Sequence, residues 1–181
     1  MTDRAPNPYD FLPKAAQFEL ASDDISEGGV MPEEHVFNGM GFAGRDRSPQ
    51  LRWSGAPEGT RSFVVTCYDP DAPTGSGFWH WAALNLPADT AELPAGAGAG
   101  DDSLPGAASY HVRNDYGLAS YNGPAPGAGP LSHRYIFTVH AVDVDTLDVT
   151  AEVSPAVVGF NLYFHTLGRA QLITEYARKE G

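Results

Sequence analysis

Hydrophobic residues come in short runs along this chain, broken by proline, glycine and acidic residues, and two such runs dominate its middle. Phe63-Val64-Val65-Thr66-Cys67-Tyr68 and Trp79-His80-Trp81-Ala82-Ala83-Leu84 are joined through Asp69-Pro70-Asp71-Ala72-Pro73-Thr74-Gly75-Ser76-Gly77-Phe78. Both runs are β-branched or aromatic and bounded by turn residues, which predicts a strand, a loop and a second strand. Alternation along a strand then sorts the side chains. Phe63, Val65 and Cys67 share a face that Asp69 ends, while His80 shares one with Ala82, Leu84 and Leu86, opposite Trp79, Trp81 and Ala83. Pro70 and Pro73 cannot donate to a ladder, so Asp69 and Asp71 sit where regular pairing stops.

Tyr135-Ile136-Phe137-Thr138-Val139-His140-Ala141-Val142 is the strongest strand pattern in the sequence. It places His133, Tyr135, Phe137, Val139 and Ala141 on one face, with Arg134 opposite His133 and set for a salt bridge. Gln17-Phe18-Glu19-Leu20 suits a first strand, and Ser48 to Trp53 a short one with Leu51 and Trp53 inward. Tyr110 to Arg113 suits another. Ser154-Pro155 starts a helix over Ala156 to Leu167 that Gly168 stops, and Ala170 to Tyr176 fits strand or helix equally. Ala95 to Gly106 is a Gly/Ala-rich surface loop, and Tyr121 to Pro130 a shaped loop dense in glycine and proline. The polar, proline-rich start reads as an arm over residues 1–15, followed by a single domain over 16–181.

Composition narrows the possible roles. A chain of 181 residues, 42% hydrophobic, can bury one core. Its net charge of -12 disfavours nucleic acid and anionic membranes, which reward basic surfaces. No apolar run approaches the ~20 residues of a membrane helix, and Met-Thr-Asp-Arg-Ala-Pro has no secretory pattern, so a cytoplasmic location is expected. Cys67, the single cysteine, reads as a buried thiol.

The candidate chemistry is two acids and two histidines near strand ends. Such a group suits a general acid/base or metal-assisted hydrolase, although no nucleophile elbow or His-Glu-x-x-His spacing accompanies it. A protein–protein interaction or inhibitor module is a third class. The arm, with Tyr9 and Phe11, offers a contact for a second subunit and hence a homodimer.

Asp69-Pro70-Asp71-Ala72-Pro73, Gly77-Phe78-Trp79-His80-Trp81 and Gly123-Pro124-Ala125-Pro126-Gly127 followed by His133-Arg134-Tyr135 together resemble the signature blocks of the phosphatidylethanolamine-binding protein family. The bacterial Raf-kinase-inhibitor-like branch is most similar, and Ser48 to Trp53 and Gly159-Phe160-Asn161 also look like it. The likeness runs from about Phe18 to Tyr176. It implies a mainly β fold: a large antiparallel sheet packed with a smaller one, and one or two peripheral helices. It also implies a pocket for phosphate or phosphorylated headgroups, lined by Asp69, Asp71, His80, Pro124 and His133 with Tyr135 following, and no cofactor. In that pocket Asp69 and Asp71 are expected to orient and charge both histidines, with N–H groups of the Gly123 to Gly129 loop facing the anion.

Overall fold

The computed structural model describes residues 4–129 and 131–178, so Met1 to Asp3 of the expected arm, Pro130 of the shaped loop and Lys179 to Gly181 lie outside it. The chain forms β1 (Ala16–Gln17), β2 (Glu19–Ala21), β3 (Asn38–Gly39), β4 (Phe42–Ala43), β5 (Leu51–Ser54), β6 (Ser62–Asp69), β7 (Phe78–Pro87), β8 (Glu92–Leu93), β9 (Tyr110–His111), β10 (His133–Val142), α1 (Pro155–His165) and β11 (Thr166–Tyr176). Six strands make the main sheet in the order β1-β11-β10-β6-β7-β9, and β2-β5-β8 make a second. The main sheet is mixed rather than wholly antiparallel, because β1 lies parallel to β11. Among the described residues α1 is the single α-helix, and no helix is long and apolar enough to cross a membrane.

The main sheet is buried on both faces, which explains why its central strands are apolar throughout. Phe63, Val65, Cys67, Tyr135, Phe137 and Val139 join Leu51 and Trp53 of the small sheet in the larger core. Val64, Ala82, Leu84 and Val142 pack on the other side with Val158 and Leu162 of α1.

Two bulges in β7 overturn the simple alternation expected there. Cys67 faces Trp81 while Tyr68 faces Trp79, so His80 is left without a partner on β6. The extra residue turns His80 to the face of Trp81, away from Ala82 and Leu84, and brings its ring 5.2 Å from that of Tyr135. The second bulge sits at Leu84-Asn85, where Asn85 takes a left-handed φ of 60°. It separates Leu84, on the helix side, from Leu86 in the larger core.

Other expectations shift for local reasons. The expected first strand over Gln17 to Leu20 is divided between two sheets. Gly168 does not stop a helix: the strand begins at Thr166, and Gly168 pairs with both Ala16 and Ala141. A Cβ at Gly168 would lie 2.9 Å from Pro57 Cδ, so close packing explains the glycine. Ala95 to Gly106 is not merely a surface loop, since it holds two 3₁₀ turns and buries Ala97 and Gly98. The arm lies on its own chain, with Tyr9 bonded to Thr66 and ring-packed on His140.

Candidate functional site

The end of β6 and the start of β10 build the centre of the site. Asp69 is 2% exposed, and its Oδ1 accepts the N–H groups of Asp71 (2.8 Å) and Ala72 (3.1 Å) as the chain turns at Pro70. Its Oδ2 lies 2.8 Å from His133 Nδ1. That hydrogen bond, with the charges of Asp69 and Asp71, raises the His133 pKa above its ordinary value against desolvation and Arg4. When protonated, the ring keeps Nε2–H as a donor.

His80 is tuned the other way. Its Nδ1 is 2.8 Å from Asn122 O, and since a carbonyl only accepts, Nδ1 carries the hydrogen and Nε2 the lone pair. Burial lowers the His80 pKa, outweighing the Asn122 bond and the charge of Asp69, so the ring is neutral. Asn114 fixes this arrangement by donating to His80 O (3.3 Å) and Asn122 Oδ1 (2.8 Å). The expectation that both histidines are charged is therefore corrected: carboxylate contact wins at His133, desolvation at His80.

Tyr135 is buried, and its hydroxyl has no partner among the described residues. His80, His133, Tyr135 and Asp69 line one cavity of about 240 Å³. Its remaining walls come from Met40, Ala72 to Thr74, Phe78, Tyr116 and Ala125 to Gly127. Tyr116 stacks on Phe37 at 4.6 Å, meets Phe78 edge-on at 4.7 Å and donates to Gly123 O (3.3 Å).

Asp71 and Pro124 do not line that cavity. Asp71 turns away to grip Arg134, accepting from Nε at 2.8 Å, Nη2 at 2.7 Å and the backbone N–H at 2.9 Å. Arg134 thus makes the salt bridge that alternation suggested. Pro124 is buried with its carbonyl accepting Phe37 N–H at 3.1 Å, which leaves Ala125 and Pro126 as the wall. Gly123 N–H donates to Asp46 Oδ1 at 2.8 Å and so faces a carboxylate instead of the cavity. Sequence reasoning did not single out Tyr116 or Met40. Tyr116 follows Asn114-Asp115 in a turn, and Met40 sits between Gly39 and Gly41 at φ 53°, so the only available signals were turn residues. Among the described residues no three His, Cys, Asp or Glu side chains converge as a metal-binding set.

Comparison with known proteins gives a consistent picture. The family model for phosphatidylethanolamine-binding protein matches residues 21–177. UPF0098 protein YbhB of Escherichia coli is 51% identical over 159 residues, covering 88% of this chain and 99% of that protein. The crystal structure of E. coli YbcL, described as a new member of the mammalian PEBP family, superposes with a TM-score of 0.87 at 41% identity, covering 91% of this chain and 100% of that one. A PEBP homolog from Chlamydia trachomatis shares the fold, with a TM-score of 0.73 at 24% identity over 91% of this chain and all of its own.

Proposed function

The chain belongs to the phosphatidylethanolamine-binding protein family, and from that membership we propose that it binds a small phosphate-type anion between His133 and His80. The observation that carries this reading is the convergence of His80 and the Asp69-bonded His133 on one small cavity.

The two histidines offer complementary hydrogen bonding. His133 Nε2–H donates to a P–O⁻ oxygen, while His80 Nε2 accepts from a P–OH, so the site suits a phosphate that retains one proton. Asp69 does not repel such an anion as a lone carboxylate would, because His133 neutralises it at 2.8 Å and two backbone N–H groups hold its other oxygen. A volume of about 240 Å³ fits a small ligand, below the ~300–1,000 Å³ of drug-sized sites. A hydrolase has less support: the Thr74 hydroxyl donates to Gly77 O, and burial pushes the Cys67 thiol well above its ordinary pKa.

Calorimetric titration with phosphate tests the proposal. The second ionisation of phosphate esters lies near ~6, and the His133 pKa is raised, so both partners gain their binding protons as pH falls. Affinity should strengthen about tenfold from pH 8 to pH 6. Affinity that is flat, or that rises with pH, contradicts it.

A further inference from the structure

The family match begins at residue 21, yet the arm before it reaches a second cavity that adjoins the anion cavity at His133. Arg4 Nη2 donates to Ser132 O and Ser132 Oγ, each at 3.0 Å, and Arg4 Nη1 donates to Glu175 Oε1 at 2.7 Å. Ser132 Oγ in turn bonds Glu175, and Arg134, while gripping Asp71, also donates to Ala5 O. Residues 4 and 5 therefore brace both chain neighbours of His133. They also help wall an outer cavity of about 480 Å³ that shares His133, Ala72, Pro73 and Gly127 with the inner one.

We propose that Arg4 is a positioning residue of the anion site: by fixing Ser132 and Glu175 it holds the start of β10 so that His133 stays on Asp69. The arm is then a working wall of the site, added to the domain that the family match delimits. The inference rests on reading the inner cavity as an anion site. Its core, the control of His133, is measurable without any ligand.

The groups facing His133 are Asp69 from β6, Asp71 from the following loop and Arg4 from the arm, and they allow a decisive sign test. As a nearby cation Arg4 lowers the His133 pKa, so if it acted by charge alone its removal would raise that pKa. If it positions the ring, its removal loosens the Asp69 hydrogen bond, the largest raising influence, and the pKa falls. Imidazole ¹⁵N NMR titration of the full chain, Arg4→Ala and Arg4→Lys reads this directly, with near-UV circular dichroism confirming that each is folded. Arg4→Ala should lower the His133 pKa by about half a unit or more and weaken inorganic phosphate about three- to tenfold. Arg4→Lys, which can still reach the same acceptors, should recover most of both. A raised or unchanged His133 pKa in Arg4→Ala overturns the inference even if phosphate binding persists. A full chain that binds no phosphate overturns the proposed function and leaves the NMR result to decide the role of the arm.

Discussion

His133 and His140 stand on the same strand, β10, on opposite faces of the main sheet, and their surroundings drive their pKa values apart. His133 opens the strand at a cavity mouth with Asp69 at 2.8 Å, and that hydrogen bond raises its pKa above the ordinary value. His140 lies mid-strand beneath the Tyr9 ring, 3% exposed, and neither ring nitrogen has a partner among the described residues. Burial, with some help from Arg169, pushes its pKa down to about 3. On this sheet an imidazole becomes a usable cation only where a strand end lets a carboxylate accompany it. Where the ring is buried with no carboxylate beside it, the same side chain is a neutral filler.

The largest expected effect breaks this contrast on the His140 side. Its folded pKa lies below the unfolded value of ~6.5, so the unfolded state binds the extra proton first. Stability from this group is complete above about pH 6.5 and is lost as pH falls towards 3. Urea denaturation should show about 3 kcal/mol of loss attributable to His140 between pH 6.5 and 4. His140→Leu should remove that slope and be near neutral or stabilising at pH 7, because it deletes two unpaired buried nitrogens. An unchanged slope in His140→Leu would show that the buried imidazole is not the acid-sensitive group.

A smaller pair of effects sharpens the His133 side. Asp71→Asn should cost about 2–3 kcal/mol, since it breaks the forked, mostly buried pair with Arg134. Because it also loosens Arg134, a chain neighbour of His133, it should weaken phosphate about two- to threefold, less than the loss of Asp69 does. Asp69→Asn should lower the His133 pKa and weaken phosphate at pH 7 about tenfold, or ~1.4 kcal/mol. Equal losses of affinity in both variants would erase the distinction between a structural and a binding carboxylate.

Much of the site is legible in the sequence because its strands alternate. Asp69 ends the row of Phe63, Val65 and Cys67, and His133 begins the row of Tyr135, Phe137 and Val139, so both are placed by period two. The face of His80 is not legible, because a bulge leaves no mark in a run that is apolar on both faces. Asp71 extends the Asp69 row only if the strand continues. Pro70 ends it, and the carboxylate meets Arg134 instead. Tyr116, Met40 and Arg4 come from a turn, a hairpin tip and the arm. These segments have no period, and only tertiary packing decides where their side chains point.

Imidazole ¹⁵N NMR at pH 7, with and without phosphate, shows whether an anion is shared between a charged His133 and a neutral His80. Phosphate should raise the His133 pKa, shift the His80 Nε2 resonance as it accepts a hydrogen bond, and leave His80 Nδ1 protonated and the ring uncharged. Protonation of His80 on binding, or resonances of both rings unmoved by saturating phosphate, would contradict it.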